Sequence, residues 1–143
     1  MAPRIEVTLD AGEAEREAVM APLLEYNIAA AGTRVFKKIA LLIKDSAGAT
    51  TGGLYGYIAF DWLFVELFFI PAELRGQDLG SKLLAQAEAL ARAHECAGVW
   101  LDTFSFQAPG FYRKQGYEMF GSIDEYPRGH QRHFFRKVLE RGA

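Results

Sequence analysis

The chain has 143 residues, half of them hydrophobic and 24% charged, with a formal net charge of −2. That balance is globular, and a chain of this length buries about 70% of the surface its unfolded form exposes, so it needs no disulfide or structural metal to fold. A lone cysteine, Cys96, excludes an intramolecular disulfide and zinc-finger spacing, and no lysine–arginine block marks a nucleic-acid footprint.

Ile5 to Leu9 alternates apolar and polar residues and reads as a first strand. Glu13 to Ala31 is rich in Ala, Glu and Leu and reads as a helix interrupted at Pro22. Val35 to Lys44 reads as a second strand, Ser46-Ala-Gly-Ala as a turn, and Gly53 to Phe60 as a third strand. Asp61 turns the chain into Trp62 to Ile70, apolar on both faces, which suits a covered central strand. This stretch is the longest apolar one, but Glu66 interrupts it and it is too short to span a bilayer. Arg75-Gly-Gln-Asp-Leu-Gly opens a long helix to about Glu95, with Leu79, Leu83, Ala87, Leu90 and Ala91 at helical spacing. Gly98 breaks it and Val99 to Phe104 is a fifth strand. A short helix from about Gln107 ends at Gly116, which suits a left-handed cap. Tyr117 to Glu125 and Gln131 to Val138 form a final hairpin over Tyr126-Pro-Arg-Gly-His. The expected fold is one α/β domain over 1–143, a mixed, largely antiparallel sheet of about seven strands flanked by helices. The start, Met1-Ala-Pro-Arg-Ile-Glu-Val, lacks the apolar core of a signal peptide, so a cytoplasmic location is expected.

Three features follow one another in the second half: the strand Glu66-Leu-Phe-Phe-Ile, the turn Arg75-Gly-Gln-Asp-Leu-Gly80-Ser81, and Ser105-Phe-Gln-Ala-Pro-Gly-Phe-Tyr112-Arg-Lys-Gln-Gly116-Tyr117. Glycine at a strand-to-helix junction lets a ligand approach the backbone. A helix N-terminus offers unpaired N–H groups and a partial positive charge, together a cradle for a diphosphate. Most such turns merely start a helix, so the turn alone is weak evidence.

In that order and spacing the three features resemble the GNAT acetyltransferases. The loop of that family reads Arg/Gln-x-x-Gly-x-Gly/Ala at the start of a long helix; Arg75, Leu79 and Gly80 sit in that frame, and Asp78 stands in place of the first glycine. Glu66 to Ile70 resembles the preceding Glu-x-Leu-x-Val strand. Ala108, Tyr112, Gly116 and Tyr117 match the downstream Asn-x-x-Ala-x-x-x-Tyr-x-x-x-Gly-Phe, with Ser105 for the asparagine. The resemblance covers roughly residues 50 to 138. It implies that the fourth and fifth strands splay apart, so that the backbone of Phe68, Phe69 and Ile70 pairs with the pantetheine amides of acetyl-CoA. It further implies that the stretch Arg75, Gly76, Gln77, Asp78, Leu79, Gly80 and Ser81 holds the pyrophosphate, with Ser105 and Tyr112 also at the cofactor. Arg113 and Lys114 can reach its adenosine phosphates.

The implied activity is direct acetyl transfer from acetyl-CoA to a primary amine of a small molecule or peptide, without an acyl-enzyme. Tyr112 is the candidate proton donor to the departing thiolate, against a core-packing role for its ring. Glu66 is the candidate base: alternation sets it on one face with Phe64 and Phe68, where desolvation would raise its pKa, against a simple ion pair. Asp102 is a weaker alternative base. Two other readings stay open, a catalytically silent acyl-CoA-binding module and a plain α/β interaction domain. His130 and His133, three apart on a strand, face opposite sides and predict no metal site; Cys96 reads as buried filler. No membrane or nucleic-acid partner is expected, and the aromatic-rich hairpin is compatible with a homodimer.

Overall fold

The computed structural model describes residues 2–32 and 35–140. The chain divides into two units, Met1–Arg34 and Val35–Ala143. The first holds helix α1 (Glu13–Ala31). This helix runs unbroken through Pro22, contrary to the expected interruption, and Gly32 ends it at φ 81° with its N–H on the Ile28 carbonyl. No strand forms over Ile5–Leu9. Alternation makes a segment fit for a sheet, but a strand exists only where its backbone joins a ladder.

The second unit is a six-stranded sheet with two helices and a 3₁₀ turn at Ala72–Leu74. Its strands are β1 (Lys37–Lys44), β2 (Thr50–Ala59), β3 (Trp62–Phe69), β4 (Gly98–Phe104), β5 (Glu118–Asp124) and β6 (Gln131–Val138), and its helices are α2 (Leu79–Ala93) and α3 (Pro109–Lys114). The spatial order is β1-β2-β3-β4-β6-β5, antiparallel except for the central β3–β4 pair. Helix α2 links these two strands, as parallel neighbours require a crossover. The β2–β3 connection is a two-residue turn at Phe60 (φ 50°) and Asp61 (φ 68°), the left-handed geometry that matches the twist of a hairpin.

One face of the sheet carries the core. Leu54 and Ile58 of β2, Leu63 and Val65 of β3, Val99 and Leu101 of β4 and Phe135 of β6 are buried together with Leu83, Leu84, Ala87 and Ala91 of α2. The opposite face carries Tyr57, Phe64 and Trp100, whose rings touch in series: Tyr57 and Phe64 at 5.4 Å, Phe64 and Trp100 at 4.2 Å.

Two irregularities at the centre of the sheet position everything that follows. The parallel pairing of β3 with β4 covers only Trp62–Val65 against Gly98–Leu101, whereas β3 stays paired to β2 as far as Phe69 and β4 to β6 as far as Phe104. Beyond Val65 and Leu101 the two strands part, as the expected splay of fourth and fifth strands requires. The second irregularity is a bulge in β3. Tyr55 pairs with Leu67 and Gly56 with Val65, so Glu66 has no partner on β2. The extra residue shifts the phase of the strand. Leu63 and Val65 face the core, and after the bulge Phe68 and Ile70 do. Gly56 is the residue that admits this: a Cβ there would lie 2.1 Å from the Phe64 carbonyl oxygen and 3.2 Å from Val65 Cα. Both are backbone atoms, so the strands would have to move apart. Gly56→Ala is expected to cost about 3 kcal/mol, the upper range for overpacking, measured as a lowered urea midpoint; a variant within about 0.5 kcal/mol of the parent would show that the bulge yields without cost.

Candidate functional site

The parted ends of β3 and β4 are the carboxyl ends of a parallel pair, the place where open sheets leave a crevice. Here the chain leaving β3 passes through the 3₁₀ turn into the N-terminus of α2, while the chain leaving β4 passes Ser105 into α3. The three sequence features therefore converge around one opening.

At the α2 end, the first intrahelical bond runs from the Lys82 N–H to the Asp78 carbonyl at 3.1 Å, so the N–H groups of Leu79, Gly80 and Ser81 have no partner within the helix. Gly76 has φ 81° and Asp78 φ 58°, ψ 17°, both left-handed. This accounts for a glycine where Asp78 stands in the resembling loop; aspartate is among the few other residues that tolerate such a backbone. The Asp78 carboxylate does not cap the helix. Gly80 lies under Phe111 and Ile70, where a Cβ would come within 3.3 Å of the Phe111 ring and 3.7 Å of Ile70 Cγ1. Gln77 is exposed. Arg75 donates its Nε–H to the Ile70 carbonyl at 3.0 Å and stands over the Phe69 ring. One of the three backbone positions expected to face pantetheine is thus engaged by the chain itself, and Phe68 and Phe69 remain.

On the other flank, Pro109 starts α3 and Gly116, at φ 91°, ends it. The Tyr117 N–H returns to the Tyr112 carbonyl and the Gly116 N–H to Arg113, a closed C-terminal cap that needs glycine at this φ. The cap fixes Tyr112. Its ring packs among Phe68 (6.1 Å), Phe111 (5.2 Å), Phe135 (5.9 Å) and Tyr117 (6.2 Å). No hydrogen bond to its hydroxyl is seen among the described residues, and the residue is 8% exposed. Burial, and next the charge of Asp102, push the phenol up to about 12. Tyr112 is therefore both a packed ring and a neutral O–H donor. Ser105 accepts the Gln131 N–H on its Oγ at 2.9 Å, while its own N–H goes to the Gln131 carbonyl, so it ties the end of β4 to the last hairpin. Arg113 lies over the Phe135 ring at 5.7 Å.

The expected setting of Glu66 is corrected. The bulge separates Phe64 and Phe68 onto opposite faces, and Glu66 is exposed. The argument from desolvation fails for it, because alternation counted through the strand misses the inserted residue. Asp102 is the better buried carboxylate, its side chain 14% exposed and its Oδ2 2.7 Å from Arg132. His133 meets Ser122 Oγ through Nδ1 at 2.6 Å and His130 packs edge-on against Phe106; among the described residues no cluster of metal-ligating side chains exists. Burial, with Asp61 nearby, raises the Cys96 thiol, which keeps it inert.

Sequence reasoning missed Glu88. It is buried on α2, accepts the Tyr117 hydroxyl at 2.9 Å and pairs with Lys137 of β6 at 2.9 Å, while Lys137 also donates to the Gln115 carbonyl. Gln115 in turn donates to Ser81 Oγ. This network ties α2 and β6 to the cap that holds Tyr112. The available signal was a glutamate on the apolar stripe, four residues after Leu84 and three before Ala91.

The family profile described as acetyltransferase (GNAT) domain matches residues 35–119, and the chain belongs to that family. An acetyltransferase of Agrobacterium fabrum is 38% identical over 118 residues, 82% of this chain and 86% of the relative. Blasticidin-S acetyltransferase of Streptomyces morookaense is 45% identical over 93 residues, 64% of this chain and 68% of the relative. A crystal structure of an acetyltransferase from Agrobacterium tumefaciens superposes with a TM-score of 0.88 at 33% identity, covering 96% of this chain and all of that one. The protein is an acetyltransferase.

Breaking a buried ion pair from one side leaves an uncompensated charge, at a cost of about 3–5 kcal/mol when fully buried. The Lys137 side chain is 27% exposed, so water offsets part of this. Lys137→Met is expected to lose about 2 kcal/mol of stability and Lys137→Arg less than half of that, read from denaturant midpoints at neutral pH; equal midpoints for all three proteins would mean that Glu88 is already solvated.

Proposed function

We propose that the protein transfers the acetyl group of acetyl-CoA to a primary amine of a small molecule, by direct attack within a ternary complex. The observation that carries this reading is the opening between β3 and β4, flanked on one side by the free N–H groups of α2 and on the other by the unpartnered Tyr112 hydroxyl. Leu79, Gly80 and Ser81, with Gly76, Gln77 and Asp78 before them, form the anion cradle. The edge of β3 at Phe68 and Phe69 offers amide pairing to an extended ligand. Ser105 offers its hydroxyl proton, while its oxygen accepts the Gln131 N–H.

In the reaction the amine nitrogen bonds to the thioester carbon, the nitrogen gives its second proton to water as the adduct collapses, the carbon–sulfur bond breaks, and the thiolate leaves. The thiolate, conjugate base of a thiol with an ordinary pKa near 8.5, is a weaker base than the phenolate of a tyrosine pushed up to about 12, so full proton transfer from Tyr112 runs uphill. Tyr112 acts chiefly by hydrogen-bonding the developing thiolate, whose proton comes finally from solvent. Glu66, exposed at the bulge, takes the proton of the arriving ammonium through water. A backbone N–H of β3 stabilises the oxyanion.

The test is thiol release from acetyl-CoA against a panel of amines, beginning with blasticidin S, after which one relative is named. Binding of acetyl-CoA with no thiol release on any amine would favour a silent acyl-CoA-binding module instead. Tyr112→Phe is expected to keep cofactor affinity and lose about 10²–10³-fold in kcat, the cost of one positioned donor. Because the phenol stays neutral to about pH 12, the parent's pH–rate profile should show no limb from Tyr112 in the neutral range. An unchanged kcat for Tyr112→Phe, with chemistry rate-limiting, would return Tyr112 to ring packing alone.

Asp78 sits where a diphosphate would be cradled, and its charge opposes that anion. Asparagine tolerates the same left-handed backbone, so Asp78→Asn changes charge and leaves conformation alone. It should tighten acetyl-CoA binding by about threefold or more at low salt, with the gain fading as ionic strength rises. Weaker binding at every salt concentration would mean that the carboxylate organises the loop.

A further inference from the structure

Asp102 is the first residue of β4 beyond its last pairing with β3, so it stands at the opening, on the face that also carries Trp100 and Phe104. One carboxylate oxygen, Oδ2, is fixed by Arg132 at 2.7 Å. No hydrogen bond to the other is seen among the described residues, and the Asp102 side chain is 14% exposed. Arg132 is itself held with unusual firmness. A second guanidinium nitrogen donates to the Tyr126 hydroxyl at 2.7 Å, and the group lies over the rings of Phe104 (5.7 Å), Tyr126 (5.0 Å) and Phe134 (5.5 Å). Its Nε is buried with no partner. A stranded donor costs stability and is retained where the surrounding geometry demands it. The ring faces carry negative quadrupoles that satisfy part of the cation's charge, which leaves the free Asp102 oxygen as an acceptor towards the opening.

Resting on the acetyl-transfer reading above, we propose that Asp102 anchors the acceptor through a hydrogen bond from its amine to the free carboxylate oxygen, and that Arg132 is the positioning residue that aims Asp102. The acceptor class this selects is an aliphatic primary amine that arrives as an ammonium. Asp102 holds the ammonium while its Oδ2 stays on Arg132; the proton leaves through water to Glu66, and the nitrogen lone pair is left to attack the thioester carbon.

The test uses the full chain with n-butylamine as acceptor at saturating acetyl-CoA. Asp102→Asn should raise the KM for n-butylamine by about 10- to 100-fold, the worth of a hydrogen bond to a charged group, with acetyl-CoA affinity by calorimetry unchanged. The double variant Asp102→Asn/Arg132→Gln removes the charge that the single variant leaves unpaired and should show the same KM, which separates anchoring from folding. Arg132→Gln alone should raise KM less, and Arg132→Lys should restore part of the loss. A KM within twofold of the parent in both Asp102 variants overturns the proposal, as does a loss that falls on acetyl-CoA affinity instead. If the parent itself neither binds acetyl-CoA nor releases thiol, the acetyl-transfer reading has failed; if it binds acetyl-CoA and acetylates an arylamine but not n-butylamine, only the anchor has.

Discussion

The separation of β3 from β4 is the constraint on which the rest depends. A sheet holds together because each strand satisfies the backbone groups of its neighbours, and an interior strand that loses a neighbour leaves N–H and C=O groups without partners. Here the loss is confined to a few residues. Pairing is kept from Trp62 to Val65, and each strand is still held from its outer side, β3 by β2 and β4 by β6. The fold can therefore sustain a wedge-shaped opening in its centre without fraying. Because the pair is parallel, both carboxyl ends lie at that wedge, and both following segments begin there.

What surrounds the opening is rigid for separate reasons on its two flanks. On the α2 flank the geometry is set by backbone conformation, with left-handed Gly76 and Asp78 and a close-packed Gly80. On the α3 flank it is set by rings and by a buried polar network. Tyr112 is wedged among aromatic side chains, and the cap that follows it is tied through Tyr117, Gln115 and Lys137 to Glu88. A hydroxyl on a ring this well packed has few positions open to it, which is what a donor aimed at a short-lived charge requires. The far side of the sheet adds a third fixed group, the Asp102–Arg132 pair at the start of the splayed end of β4.

The polar groups near the opening divide by what they can do. Glu66 is exposed; Asp102 is largely enclosed and paired with Arg132; Tyr112 is packed among rings. A proton entering or leaving needs contact with water, while alignment of a nucleophile needs a group that does not move. The division of labour proposed above follows from that difference in setting more than from residue type.

Much was legible in the chain alone. The order of elements, the helix bounds at Glu13 and Ala31, the last strand from Gln131 to Val138, the reversal at Gly116 and the loop-to-helix junction after Arg75 follow from local chemistry: propensity, periodicity, and the glycines that left-handed backbone demands. The family resemblance rested on the same local spacing. What the chain could not decide was everything set by pairing between distant segments. Ile5–Leu9 alternates well and joins no ladder. The bulge at Glu66 inverts the faces of the residues after it, and it exists because Gly56, ten residues earlier on another strand, lets a backbone come close. Glu88 and Arg132 take their roles only once tertiary packing sets Lys137 and Asp102 beside them. Sequence thus determined most of the elements that form and where the long helix α2 begins; the tertiary structure alone decided which side of the sheet each polar group faces, because a single inserted residue reverses a strand's alternation and leaves no mark in its own composition.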